Sequence, residues 1–272
     1  MSLRIQNNVE AFDAHRYLVM SANNMAKSME RLSSGYRINR AADDSAGLAI
    51  SEKLKAQIGG LDQAQRNAQD AVSLVQTGEG ALSEVHSMLQ RVRDLAVQFN
   101  NGTLSTSDKA AITLEVTQLC NEINRIASQT KFNGIALLTG GTSITFQVGA
   151  EDQETLSVSG RSLFGSGASF DVDSGIFNFS GTVTLASIDT AIDNVSTARS
   201  TFGAVQNRLE HTLNNLASYE ENLQASESRI RDVDMASEMV EFTKDQILQQ
   251  AGTSMLAQAN TLPQSVLTLL HG

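Results

Sequence analysis

The sequence predicts a mainly α chain: a discontinuous, long-helical coiled-coil bundle formed by its N- and C-terminal halves, with a small β-hairpin region in the middle. Three observations predict it. Apolar residues recur every seven positions over two long stretches, the pattern of helices packed side by side. Pro263 is the lone proline in 272 residues, and proline is the residue that interrupts helices. Between the two halves the heptads stop and a glycine-, serine- and threonine-rich segment with alternating apolar residues takes over.

Taken in order, the chain opens on an amphipathic helix with Ile5, Val9, Phe12, Val19, Ala22, Ala26 and Met29 on one stripe. Gly35 and the polar run Arg37 to Asp44 interrupt it. Asp43, Asp44 and Ser45 are N-cap candidates for the next helix. There a repeat runs Leu54, Leu61, Ala68, Val75, Leu82, Leu89, Ala96, with Ile50, Gln57, Ala64, Ala71, Gly78, Val85, Val92 and Phe99 as its companion row. Residues 44–100 as one helix would span roughly 85 Å at about 1.5 Å per residue. Asn100-Asn101-Gly102-Thr103 reads as a turn. A shorter helix follows, marked by Ile112, Val116, Leu119, Ile123 and Ile126.

From Phe132 to about Leu185 the reading changes to strands. Ile144, Phe146 and Val148 alternate, as do Leu156 and Val158, across a loop at 149–155. Phe177, Phe179, Val183 and Leu185 alternate too, so the β-rich insert is set at about 132–185. The second long heptad row is Ile188, Val195, Phe202, Leu209, Leu216, Leu223, Ile230, beside Ala191, Ala198, Val205, Thr212, Tyr219, Ser226 and Val233. The last helix carries Leu248, Ala251, Met255, Leu262, Val266 and Leu269, and Pro263 within it predicts a kink or a new turn.

Three seams need partners, and each other is the economical answer, so an antiparallel bundle is expected. The two terminal helices pose a different problem. Helices of this length owe their stability to packing, and two thin helices cannot cover each other on all sides. Ile5, Val9, Phe12, Leu248, Met255, Leu262, Val266 and Leu269 are therefore read as surface kept for other chains.

Composition excludes several roles. The net charge is −10, which disfavours nucleic acid as a partner and an anionic membrane surface as well. No stretch approaches the ~18 apolar residues of a membrane span. Met1 to Ile5 run into polar Gln6, Asn7 and Asn8, so a secretory signal peptide is not expected. Cys120, the single cysteine, has no intrachain partner and flanks a seam, which suits a packing residue. His15, His86, His211 and His271 lack metal-ligand spacing. Walker, nucleophile-elbow and His-Glu-x-x-His patterns are missing. The sequons at Asn101, Asn178 and Asn194 are short enough to recur by chance. No catalytic residue, cofactor or metal is expected.

One motif is far more specific. Residues 31–51 read Arg31-Leu-Ser-Ser-Gly-Tyr-Arg-Ile-Asn-Arg-Ala-Ala-Asp-Asp-Ser-Ala-Gly-Leu-Ala-Ile-Ser51. Further on come Gly203-Ala-Val-Gln-Asn-Arg-Leu-Glu-His211, Glu227-Ser-Arg-Ile-Arg-Asp-Val-Asp-Met235 and Ile247-Leu-Gln-Gln-Ala-Gly-Thr-Ser-Met-Leu-Ala-Gln-Ala-Asn260. These resemble the N- and C-terminal signatures of bacterial flagellins over about 1–138 and 186–271. The resemblance implies a structural subunit that polymerises with itself into the extracellular flagellar filament for motility. It implies an inner polymerisation domain of 1–40 and 238–272, with a spoke near 34–43, and a bundle domain of 41–237. With only about fifty residues in the middle, a short form without large outer domains is expected. Export in unfolded form through the flagellar type III apparatus is implied, with the cap, junction and export chaperone proteins as further partners. Many flagellins are bound by a vertebrate Toll-like receptor, and Leu89-Gln-Arg-Val-Arg-Asp-Leu-Ala-Val-Gln98 resembles the stretch it recognises. The resemblance carries that role to Gln90, Arg91 and Leu95, and to Glu115 on the next helix. Arg91 and Leu95 are expected to lie off the helix seam. The alternatives are a hook–filament junction protein, similar at both ends, and a signalling helical hairpin, which leaves the apolar termini unexplained.

Overall fold

A computed structural model describes residues 8–140, 143–159 and 184–271, the stretch 262–271 by its backbone alone. Within it the chain forms α1 (Val9–Ser34), α2 (Ser45–Phe99), α3 (Thr106–Gln129), β1 (Lys131–Phe132), β2 (Ile135–Ala136), β3 (Ser143–Gln147), β4 (Thr155–Ser159), α4 (Leu185–Arg231) and α5 (Met235–His271). It divides into two compact units, 1–56 with 222–272, and 57–221. The dividing points fall inside α2 and α4.

In the first unit α1 and α5 pack antiparallel. Asn8 caps α1, its side chain accepting from the Ala11 N–H. Gly35 ends the helix in the left-handed region at φ 76°, its N–H returning to the Arg31 carbonyl, a conformation glycine adopts without a Cβ clash. Asp234 starts α5 by accepting from the Ala236 N–H at 3.0 Å. The link between α1 and α2 is clipped to the link between α4 and α5. Tyr36 and Asp232 form an antiparallel bridge, with Arg37 N–H on the Arg231 carbonyl and Val233 N–H on the Gly35 carbonyl. The Arg231 guanidinium lies 4.6 Å from the Tyr36 ring and donates to Glu52. Ile38 is buried beneath this clip. A Cβ on Gly47 would meet Ile38 Cδ1 at 2.8 Å, so glycine there leaves the space Ile38 fills. Of the expected caps, Asp44 takes the role, accepting from the Gly47 N–H at 2.9 Å. Asp43 instead pairs with Lys27 at 2.8 Å.

The second unit is the antiparallel bundle. Ion pairs and hydrogen bonds between α2 and α4 descend in step: Gln65 with Glu220, Glu79 with Arg199, Arg93 with Asp189. The heptad rows form the core: Leu61, Ala68, Val75, Leu82, Leu89 and Ala96 from α2, and Ile188, Val195, Phe202 and Leu209 from α4, are all buried. A Cβ on Gly78 would meet the Phe202 ring at 2.9 Å, so this helical glycine is the hole for that knob. α3 starts on a capping box between Ser105 and Asp108 and buries Ile112, Val116 and Ile123. A tight hairpin joins β1 and β2, with Asn133 and Gly134 both at positive φ, as a two-residue turn of this twist requires. β3 and β4 pair antiparallel, Ile144 opposite Val158 and Phe146 opposite Leu156. Leu156 and Val158 are buried in the bundle core, and Asn67 donates to the Gln147 carbonyl at 3.0 Å to hold the hairpin on α2.

Two expectations change. Leu185 is the first residue of α4; its helical spacing to Ile188 and Ile192 outweighs a short alternation, while Phe177, Phe179 and Val183 lie outside the described residues. Leu95 is 2% exposed, not off the seam. It packs with Val92, Phe99, Ile112 and Val116, because flanking helices on both sides widen the buried face of α2 beyond two heptad positions. Pro263 stands inside α5, which runs on to His271. The carbonyl it leaves without a helical donor, that of Ala259, accepts instead from Asn8 Nδ2 at 2.8 Å.

Candidate functional site

The contact between α1 and α5 mixes polar and small residues with apolar ones. Inward positions on α1 follow a 3–4 spacing: Ala11, Ala14, Leu18, Ser21, Met25, Ser28, Leu32. Those on α5 do the same: Glu238, Phe242, Asp245, Gln249, Gly252, Leu256, Ala259. The most buried polar members are Ser21 at 7%, Ser28 at 6% and Asp245 at 6% exposed. Ser21 Oγ donates to the Asp245 carbonyl at 2.9 Å. Leu18 reaches Gly252, where an added Cβ would lie 3.2 Å from Leu18 Cδ1. Arg31 meets Glu238 at 3.4 Å at one end of the pair. This seam mixes such polar and small residues with Leu18, Met25, Leu32, Phe242 and Leu256, which are only partly buried there.

Further large apolar residues stay exposed. Phe12 is 72% exposed, Met255 64%, Val9 54% and Leu248 48%. Val19, Met20, Met29, Met239, Val240 and Ile247 join them. Exposed apolar residues of this size on both helices of one pair mark a candidate interaction surface. Of the expected packing residues, Val9, Phe12, Leu248 and Met255 lie on it. Ile5 and the side chains of Leu262, Val266 and Leu269 lie outside the described residues. The seam row, interrupted by Ser21, Ser28, Asp245 and Gly252, escapes a reading that follows large apolar residues alone; the spacing of Ala11, Ala14, Leu18, Ser21 and Met25 is the signal that carries it.

A second surface lies on α2 and α3. Arg91 donates to Glu115 through Nη2 at 2.8 Å and Nε at 2.9 Å. Both side chains are about half exposed, so the pair contributes little to stability. Gln90 is exposed and meets His86 Nε2 at 3.0 Å. Leu95 stands beneath them in the core, holding α2 against α3.

Chemically reactive constellations are scarce. Desolvation pushes the Cys120 thiol up to about 11, which keeps it protonated and a poor nucleophile near neutral pH. Among the described residues, no group of three or more His, Cys, Asp or Glu side chains is placed to hold a metal ion, and no helix is long and apolar enough to cross a membrane. The strongest electrostatic perturbation of a carboxyl is structural. The Lys27 ammonium, with the Arg40 and Asn39 N–H groups, holds Asp43 at about 2.

Comparison with known proteins agrees with this architecture. Residues 5–143 match the bacterial flagellin N-terminal helical region, and residues 185–270 the bacterial flagellin C-terminal helical region. A flagellin of Halalkalibacterium halodurans is 51% identical, the alignment covering 98% of this chain and 99% of the relative. A flagellar filament 33 kDa core protein of Treponema phagedenis is 46% identical over 98% of this chain and 99% of its own. A solved protein of Vibrio parahaemolyticus, described as flagellar hook-associated, superposes with a TM-score of 0.61 at 17% identity, covering 70% of this chain and 100% of that one. At that identity the likeness is one of fold alone.

Proposed function

The chain belongs to the bacterial flagellin family and is a structural subunit of a flagellar filament, and from that premise we propose that the outward stripes of α1 and α5 are its subunit contacts. The observation that carries this reading is the set of large apolar residues left exposed on both helices. Phe12, Val9, Leu248 and Met255 stay exposed while Ser21, Ser28 and Asp245 are buried between the helices. A chain that keeps these apolar residues exposed gains their burial only from other copies. Ile5, Leu262, Val266 and Leu269 are assigned the same role from the sequence alone. The inner polymerisation domain is 1–40 with 238–272, joined by a spoke near 34–43 to the bundle domain of 41–237. The role is structural, without catalysis.

The subunit leaves the cell unfolded through the flagellar export apparatus, with a chaperone on its exposed termini, and joins the filament beneath the cap, beyond the junction proteins. A single cysteine, and so no intrachain disulfide to reduce, suits that route. Gln90, Arg91 and Glu115 are the contact groups for a vertebrate Toll-like receptor, with Leu95 positioning their helix from below. The test of the main reading is seeded growth followed by light scattering. Filaments should elongate above a sharp critical concentration, and a chain that stays monomeric on seeds at all concentrations would overturn it.

A further inference from the structure

Asn8 makes two hydrogen bonds through opposite ends of one amide. Its Oδ1 accepts from the Ala11 N–H at 3.1 Å and caps α1. Its Nδ2 donates to the Ala259 carbonyl at 2.8 Å, 251 residues further along the chain. An asparagine amide offers its acceptor at the oxygen and its donors at the nitrogen, so a single orientation serves both partners. The second partner is unusual. In an α-helix the carbonyl of residue 259 receives the N–H of residue 263, and residue 263 is proline, which has none. α5 nonetheless continues to His271, and Ala259 is buried, where an unpaired carbonyl is costly.

Resting on the assembly reading above, we infer that Asn8 is a clamp that makes the two ends of the chain order together. The start of α1 supplies the donor that Pro263 withholds from α5, and α5 in turn fixes the residue from which α1 begins. Serine, threonine and aspartate cap helices as well as asparagine does, or nearly so. Of these four only asparagine combines a capping oxygen with a separate N–H donor on the same group. The clamp therefore accounts for both residue choices at once. Proline at 263 leaves the end of α5 incomplete until α1 is in place, and asparagine at 8 completes it. Neither end then settles into its final form on a neighbouring subunit without the other, so a half-docked subunit is disfavoured.

Asn8→Ser keeps a capping oxygen and removes the long-range donor, while Pro263→Ala restores the helical N–H. In seeded growth, Asn8→Ser should raise the critical concentration about two- to tenfold, the range for loss of one hydrogen bond. In the Pro263→Ala background the same substitution should change it by less than about twofold. Amide hydrogen exchange gives a readout that does not depend on growth. Segments 9–14 and 255–262 should lose protection together in Asn8→Ser, and 255–262 should recover when Pro263→Ala is added. Equal effects of Asn8→Ser in both backgrounds, or no effect on growth and exchange, would overturn the clamp. If the unsubstituted chain fails to grow on seeds, the assembly reading falls, and the exchange coupling alone then decides on the clamp.

Discussion

Phe12 offers the clearest energetic test of the assembly surface. Its side chain is 72% exposed on α1, so most of its transfer free energy is unrealised in the single chain. Full burial of a phenylalanine side chain is worth ~1.5–3 kcal/mol. Scaled by the exposed fraction, the part left for contact with other subunits is about 1–2 kcal/mol. Each subunit in a helical polymer makes the same contact. Phe12→Ala should therefore raise the critical concentration for seeded elongation roughly 6- to 40-fold, since about 1.4 kcal/mol is tenfold. Phe12→Asp should abolish growth, because a carboxylate must then be desolvated without a partner. Neither substitution should shift the thermal transition of the monomer, as little of this side chain is buried there. Leu82, fully buried in the bundle core, is the contrasting site: Leu82→Ala should cost ~2–5 kcal/mol of monomer stability. Light-scattering growth curves beside melting by circular dichroism read both quantities. Growth of Phe12→Ala at the unsubstituted critical concentration would refute the reasoning.

Other outcomes follow from the same structure. Arg91→Ala should lower the potency of monomer in a Toll-like-receptor reporter assay about tenfold or more if Arg91 anchors that interface. The bundle should stay folded, because an exposed ion pair contributes at most about 1 kcal/mol; unchanged potency would leave Arg91 as a solvated charge paired to Glu115. Asp43, held at about 2 by Lys27 and neighbouring backbone N–H groups, ionises more readily folded than unfolded. Its contribution is thus fully present above its ordinary value of 3.8 and lost as the pH falls toward 2. Melting curves of the unsubstituted chain and Asp43→Asn should accordingly differ at pH 6 and converge as pH falls through that window, whereas a constant gap would show the pair with Lys27 to be without effect.

What the sequence reveals depends on which residues make each contact. The α2 and α4 seams are legible because large apolar residues occupy the heptad positions and nothing else on those helices competes with them. The β3–β4 hairpin is legible because Ile144, Phe146, Leu156 and Val158 alternate across a polar loop. The α1–α5 seam hides, since Ser21, Ser28, Asp245 and Gly252 carry no hydrophobic signal, and the apolar stripe beside them points outward. Leu95 was expected off the seam because a two-row heptad describes one partner helix, and α2 has more than one. The clip joining Tyr36 and Arg37 to Arg231, Asp232 and Val233 and the Asn8 bond to Ala259 link residues some two hundred or more positions apart. No local pattern encodes such contacts. The consequence of Pro263 is hidden for a related reason, as the donor that compensates it comes from the other end of the chain.

Methionine oxidation tests the central claim most directly. Met20, Met29, Met239 and Met255 are about half exposed or more on the outward face of α1 and α5, whereas Met88 packs against the bundle core. Timed exposure of monomer and of seeded filaments to hydrogen peroxide, read by peptide mass spectrometry, gives a rate for each thioether. If the outward stripes are the subunit contacts, Met255 and its companions oxidise fast in the monomer and many-fold more slowly in the filament, while Met88 changes little. Equal oxidation of Met255 in both states would contradict the account and place the subunit contacts elsewhere on the chain.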